Sequence, residues 1–263
     1  MDRFAIGPIA DPMEATKAAA INFKARLNAV RGARLPQNGL PWYPYDILGN
    51  VWHLSEMLSK LNRSVFQNVK GRRIADIGTA DGDLGLFLAS LGASVDLIDY
   101  EPTNLNHFSG ARTLVSELNI PANIISMNVD DQFSLDGHYD LTLFLGILYH
   151  VKNPFYILET LARHSRHLFV STRIAEYTAP VGFPHRGKLP GTSVYLLDSK
   201  ESNSDDTNYW TFNEASLRLL FHRTGWNMLD YLVVGGPLET SDPTSEHGDR
   251  RAFGYLESRH FNR

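Results

Sequence analysis

Arg72-Arg73-Ile74-Ala75-Asp76-Ile77-Gly78-Thr79-Ala80-Asp81-Gly82-Asp83-Leu84-Gly85 reads as a strand, a tight glycine turn and the start of a helix. The apolar run ending at Ile77 suits a buried parallel strand, and the two glycines permit the turn. Leu84, Phe87, Leu88 and Leu91 follow at helical spacing until Gly92 stops the helix. Such a unit opens a nucleotide-binding α/β sheet.

Charge indicates which nucleotide. A dinucleotide turn needs glycines in the order G-x-G-x-x-G, with pyrophosphate lying on the helix N-terminus. Here Ala80 and Asp83 occupy the second and third glycine positions, and Asp76, Asp81 and Asp83 put carboxylates where that anion would sit. S-adenosylmethionine has no phosphate and carries a sulfonium and an ammonium, so an acidic turn suits it better. Ser94 to Asp99 reads as the next strand, and Asp99, about 20 residues past the turn, is placed to accept ribose hydroxyls in either cofactor class.

The bulk properties narrow the class. A chain of 263 residues with 43% hydrophobic content can bury one large core. The absence of cysteine excludes disulfides, thiolate nucleophiles and thiolate metal sites, and fits a reducing cytoplasm. The apolar run in Met1–Asp11 is too short for a signal peptide, and no later segment is apolar enough to span a bilayer, so a soluble cytoplasmic protein is expected. The net charge of −4 argues mildly against broad binding to a phosphate backbone.

Residues 1–64 read as a helical N-terminal extension, and 65–263 as the main domain. Within the extension Ile47, Val51, Leu54, Leu58 and Leu61 form an apolar stripe. The preceding Pro41-Trp42-Tyr43-Pro44-Tyr45 either packs extension against sheet or caps cofactor and substrate. Glu101-Pro102-Thr103 is expected to open a helix that Pro121 closes, and Asn123 to Asn128 to form a third strand delivering Val129, Asp130 and Asp131 to the carboxyl edge. Tyr139 to Gly146 is the fourth strand, followed directly by Ile147-Leu148-Tyr149-His150 and by a helix start at Asn153-Pro154. His167 to Thr172 is the fifth strand, with Arg173 at its end. Residues 174–208 break the alternation with prolines and glycines, a substrate-side insert. A capping-box helix from Thr211 and a closing strand pair, Met228 to Val234 and Ala252 to Glu257, complete the chain, joined by a flexible Gly235 to Arg250 linker.

On Asp76-Ile77-Gly78-Thr79-Ala80-Asp81-Gly82, Asp99, Val129-Asp130 and Leu145-Gly146-Ile147-Leu148-Tyr149-His150, the chain resembles the class I S-adenosylmethionine-dependent methyltransferases over residues 70–260. Ala80 departs from the family's usual glycine by one methyl group. The resemblance implies a doubly wound, mostly parallel, seven-stranded Rossmann-like sheet with S-adenosylmethionine as cofactor. Asp99, with Tyr100 beside it, would hold the ribose, and Val129 and Asp130 the adenine. Asp76, Gly78, Thr79, Ala80 and Gly82 would surround the methionine end, with Leu145 and Gly146 lining the donor. The fourth-strand motif is also similar to that of bacterial enzymes acting on tRNA wobble uridine, the 5-carboxymethoxyuridine branch. Val151-Lys152 replaces their arginines, however, and Tyr43-Pro44-Tyr45 follows Pro41-Trp42 where they carry a basic residue. The ordinary methyl donor is therefore expected.

Methyl transfer needs alignment, and removal of a proton if the acceptor carries one, but no metal. His150 is the first candidate base, since imidazole titrates near neutral pH, with a histidine bonded to backbone near a helix start as the alternative. Tyr149 either positions substrate or stacks on cofactor, and Arg173 binds an acidic group or is structural. Asp130 either meets adenine or caps a turn. Tyr209 and Trp210 line an acceptor pocket or anchor the next helix, while His185 and Arg186 are weaker candidates. No histidine pair such as His164 and His167 completes a metal set, and no G-x-S-x-G turn supports a serine hydrolase. The expected activity is methyl transfer to O or N of a small molecule. The rivals are a tRNA wobble-uridine enzyme, an NAD-dependent oxidoreductase and a non-catalytic S-adenosylmethionine-binding module.

Overall fold

The computed structural model describes residues 12–236, 241–244 and 250–261. The Met1–Asp11 segment and most of the Gly235–Arg250 linker lie outside the described residues.

The first strand, β1 (Arg73–Ile77), pairs in parallel with β2 (Ser94–Asp99) on one side and β4 (Tyr139–Leu145) on the other. The parallel run continues through β3 (Asn123–Ser126) beside β2 and β5 (Ser165–Ile174) beside β4. Two antiparallel strands close the sheet: β9 (Arg250–Ser258) lies against β5 and β8 (Trp226–Gly235) against β9. The order β3-β2-β1-β4-β5-β9-β8 reverses direction of winding between β1 and β4, and ligands bind at the carboxyl ends beside such a switch point.

Strand alternation sends Ile74, Leu97, Leu143, Phe169 and Phe253 into one apolar layer and Ala75, Ile98, Phe144, Val170 and Ala252 into the other. The first layer is covered by α1 (Pro12–Ala33), α2 (Val51–Lys60), α4 (Asp83–Ser90) and α5 (Ser109–Leu118), the second by α6 (Pro154–His164) and α7 (Glu214–Arg223). A short α3 (Val65–Val69) leads into β1. Ala20, Phe23 and Leu27 of α1 and Val51, Leu54, Met57 and Leu58 of α2 are buried in the same layer as Phe87 and Leu114. The extension thus completes the main core, and each such Leu or Phe adds about 1.5–3 kcal/mol of burial.

The structure differs from expectation in places. The fifth helix begins at Ser109, not Glu101. Asn104 Oδ1 accepts from the Asn106 and Phe108 amides, and His107 and Phe108 take positive φ, so local side-chain bonds hold 101–108 in turns. The third strand ends at Ser126, two residues early. Within the insert, β6 (Val194–Leu196) pairs antiparallel with β7 (Trp210–Phe212), just after it. Phe212 pairs in parallel with Ile174, whose other side is taken by Arg250. The hairpin therefore occupies the β4 side of β5, beyond the carboxyl end of β4.

Candidate active site

The glycine turn lies at the carboxyl end of β1. Gly78 has a φ of 72°, and a Cβ there would stand 2.2 Å from Ile147 Cδ1, so the loop after β4 presses directly on the turn. Ala80 adopts a φ of 53°, conformationally a glycine position. The amide of Ala80 donates to Asp99 Oδ2 (3.2 Å), which also accepts from Asn104 Nδ2 (3.0 Å), while the Tyr100 amide donates to Oδ1 (2.8 Å). Three of the roughly four acceptor positions of the carboxylate are thus used, leaving one for a hydroxyl. Burial holds the Asp99 carboxyl above the usual carboxylate range despite these donors.

Asp76 turns back into the bend. Its Oδ2 accepts from Thr79 Oγ1 (3.0 Å) and the Gly85 amide (3.1 Å), tying turn to helix α4. Burial pushes its carboxyl up to about 7. The other two carboxylates of the turn face the N-terminal extension. Arg31 at the end of α1 donates to Asp83 through both Nη atoms (2.9 and 2.6 Å) and to Asp81 through Nη2 (3.2 Å). Asp81 further accepts from the Tyr43 amide (2.9 Å) and Asn106 Nδ2 (2.8 Å). The reading of three carboxylates facing a ligand is corrected on this point: one guanidinium neutralises part of the acidic bend. Burial of Asp83 still outweighs its ion pair and holds its carboxyl up.

Residues 34–45 run as a strap across this region. Asn106 Nδ2 donates to the Pro41 carbonyl (3.2 Å), the Leu105 amide donates to Tyr43 Oη (2.8 Å), and Arg31 stacks over Trp42. Thr79, Ala80 and Asp81 are consequently buried. Both open readings of the aromatic segment share this geometry: it packs extension to sheet by lying over the turn.

At the end of β4, Leu145 borders the first apolar layer, and the Gly146 amide donates to the Ser171 carbonyl and Oγ, both at 3.0 Å. Tyr149 and His150 follow, with rings 4.2 Å apart. The insert folds over them: the Tyr209 amide donates to the Tyr149 carbonyl (2.8 Å), and Trp210 Nε1 donates to the Val151 carbonyl (3.0 Å). His150 Nδ1 lies 3.1 Å from the Thr207 carbonyl and 3.0 Å from Thr207 Oγ1, whose proton goes to Asp205 Oδ1 (2.7 Å). Donation from Nδ1 to the carbonyl assigns the tautomer that leaves Nε2 the basic nitrogen. Burial lowers the pKa of His150, so the ring is neutral at pH 7.

Arg173 is buried and donates to Ser202 Oγ of the insert. On β9, Arg251 reaches Tyr149 Oη (3.3 Å). Asp130 Oδ1 accepts from the Lys152 (2.7 Å) and Asn153 (3.4 Å) amides, so that oxygen does cap the loop before α6; Val129 packs partly into the second layer and Tyr100 is exposed. His167 stacks on Tyr255 and His164 Nδ1 meets the Gly137 carbonyl, so neither contacts the carboxyl edge through these partners. Arg186 stacks on Tyr177, and His185 is the neighbouring turn residue. Among the described residues no cluster could hold a metal ion, and no helix is long and apolar enough to cross a membrane.

Arg31, Asn106, Asp205, Thr207 and Arg251 were not legible as site residues, because each meets its partner there from a distant segment, whereas Asn104 lies only five residues past Asp99. Asn104 and Asn106, polar residues inside an expected helix, offered the one local signal.

A methyltransferase domain model matches residues 52–231. The chain belongs to the methyltransferase domain family. With that, the expectation of an S-adenosylmethionine-dependent methyltransferase holds. No curated protein matches the sequence. The N-terminal domain of EvdMO1, solved with S-adenosylhomocysteine bound, is similar in fold at 18% identity, with 97% of this chain and 99% of that one covered and a TM-score of 0.50. TehB from Haemophilus influenzae aligns at 15% identity over 80% of this chain and 62% of its own, with a TM-score of 0.52. An S-adenosylmethionine-dependent methyltransferase from Clostridium acetobutylicum aligns at 8% identity over 78% and 92%, with a TM-score of 0.50. At these identities the likeness shows the fold alone.

Proposed function

We propose that this methyltransferase transfers a methyl group to an oxygen or nitrogen of a small-molecule acceptor bound over the end of β4. The supporting observation is the β6–β7 hairpin, which runs past the carboxyl end of β4 and is bonded to Tyr149 through the Tyr209 amide. A hairpin folded over this edge suits a compact acceptor better than a polynucleotide.

Asp99 with its remaining acceptor position, Tyr100, Val129 and Asp130 would hold the adenosine of S-adenosylmethionine. The backbone of Gly78, Thr79, Ala80 and Gly82, with the Asp76 carboxyl beneath, would border the methionine end, and Leu145 and Gly146 the reacting centre. The buried carboxyls of Asp76 and Asp99 fit a cationic ligand, because a nearby cation favours their ionised form. When bound, this cofactor supplies an electrophilic methyl group on a sulfonium. His150 would take the acceptor's proton at Nε2, with Nδ1–H held by the Thr207 carbonyl and Asp205 stabilising the imidazolium through Thr207. Tyr149 would position the acceptor.

Calorimetry with S-adenosylmethionine and with NAD tests the cofactor, and label transfer from the methyl-labelled donor into small-molecule and tRNA fractions of cell extract tests the acceptor. Heat with the first nucleotide and label in the small-molecule fraction are expected. Label confined to tRNA overturns the acceptor class, and heat only with NAD overturns the reading as a whole.

A further inference from the structure

We propose that Tyr43, on the strap of the N-terminal extension, is a further cofactor-holding residue, its phenol donating to the same ribose hydroxyl from which Asp99 accepts. The proposal rests on the reading of Asp99 as the ribose acid and deepens it.

Tyr43 is pinned at both ends to the segments that flank Asp99. Its amide donates to Asp81 Oδ2 of the glycine turn (2.9 Å), and its Oη accepts from the Leu105 amide in the stretch after β2 (2.8 Å). Each anchor stands one residue from a group that holds the carboxylate. Ala80, beside Asp81, donates to Asp99 Oδ2 through its amide, and Asn104, beside Leu105, donates to the same oxygen through Nδ2. The side chain therefore spans from turn to loop next to Asp99. Further bonds fix the strap in this place: Asn106 Nδ2 donates to the Pro41 carbonyl (3.2 Å), Asn38 Nδ2 to the Asn106 carbonyl (2.9 Å) and Ser109 Oγ to Asn38 Oδ1 (2.7 Å). Tyr43 and Asp99 are both only partly buried, so a ligand can reach them.

Each of the two groups has one bond left to make. Tyr43 Oη is an acceptor toward Leu105, and among the described residues nothing accepts the phenolic proton. Burial pushes the phenol's pKa up against the lowering effect of the Leu105 bond, and the charges of Asp99 and Asp81 add to the rise, so the proton stays on at neutral pH. Asp99 has three acceptor positions filled and its fourth open, and it makes no direct bond to the phenol. A group between them must accept from Tyr43 and donate to Asp99, and a ribose hydroxyl does both. The α-carboxylate of the cofactor would accept from the phenol but meet the like charge of Asp99, and its ammonium would pair with Asp99 but has no lone pair for the phenol. The polarity of the pair thus selects the sugar. It gives the extension a contact with the cofactor besides its share of the apolar core.

The test titrates S-adenosylhomocysteine and its 2′-deoxy and 3′-deoxy analogues by calorimetry into the wild-type protein and Y43F. Y43F is expected to weaken S-adenosylhomocysteine by about fivefold, the net worth of one hydrogen bond. It should leave the one analogue that lacks the shared hydroxyl within about twofold of its wild-type affinity, because with that ligand the phenol has no partner to lose. Retained affinity for that analogue also shows that the variant is folded. Equal weakening of all three ligands would mean that Tyr43 only holds the strap in place and overturns the proposal, as does unaltered binding of S-adenosylhomocysteine to Y43F. Equal binding of all three ligands to the wild-type protein would take the ribose role from Asp99 and the proposal with it, while the cofactor assignment stands. Failure of S-adenosylhomocysteine to bind the wild-type protein at all would instead remove the cofactor assignment on which both depend.

Discussion

Ala80 holds a φ of 53° at a position where the class I resemblance implies glycine, so its departure is one of backbone conformation more than of added bulk. A left-handed non-glycine residue costs about 1–2 kcal/mol, and glycine loses part of that gain to the entropy of the unfolded chain. Ala80→Gly is therefore expected to raise stability by about 0.5–1 kcal/mol in urea denaturation. Asp76 has a folded carboxyl pushed up to about 7 by burial, against an ordinary value of 3.8. The unfolded chain loses that proton near pH 4 and the folded one near pH 7, so between these values the folded state binds more protons. Stability consequently falls as pH rises through the window and levels off above it, by at most about 4 kcal/mol. Asp76→Asn keeps an oxygen for Thr79 and Gly85, and subtracting its stability curve from the wild-type curve should isolate that fall. A flat difference between pH 4 and 7 would show the carboxyl to be solvated.

At the scale of elements, α1 and the glycine turn are joined by Arg31. It is about one-fifth exposed, while Asp81 and Asp83 are almost fully buried. Removing the cation leaves two buried carboxylates, and Arg31→Met is expected to cost about 2–4 kcal/mol. R31M/D81N/D83N should recover most of it, since the charge is removed with its partner; a triple variant as weak as R31M would mean that packing of the arginine stem dominates. The insert acts on His150 in a comparable way. Burial lowers the His150 pKa and the Asp205 charge partly restores it, so the acid limb of kcat/KM should fall below the ordinary histidine value of 6.5. Asp205→Asn should move that limb lower still, and His150→Gln should remove it with a loss of about 100- to 10,000-fold. Profiles that do not change in either variant would leave His150 without a role in proton transfer.

At the scale of the whole molecule, the extension and the sheet share one apolar layer through Ala20, Phe23 and Leu27. Deleting residues 1–33 should therefore lower the melting temperature by more than about 10 °C or yield insoluble protein, because several buried side chains of the layer are lost together. A truncated chain that melts as the full one does would make α1 an ornament. The parallel core was legible in the sequence. Ile74 to Ile77, Val95 to Ile98 and Leu141 to Leu145 are apolar but for one polar residue each (Asp76, Asp96 and Thr142), close to the pattern of strands buried on both faces, and the turn at Gly78 and the acid at Asp99 fall at fixed distances from them. Local pattern failed at Glu101 to Phe108, where asparagine side chains hold turns against a helical period. It was also silent on partners. The carboxylates at 81 and 83 were visible, but not that Arg31, some 50 residues earlier, would turn them away from the ligand side. Sequence by itself determined the order of the parallel strands and the closing pair, the cofactor-type turn and the family, since each depends on spacings within a few tens of residues, but not the β6–β7 hairpin. Tertiary structure alone decided which charges are neutralised, that Thr207 holds His150, and that Arg251 meets Tyr149 from 102 residues away, because those bonds exist only once β9 and the insert have closed around the end of β4.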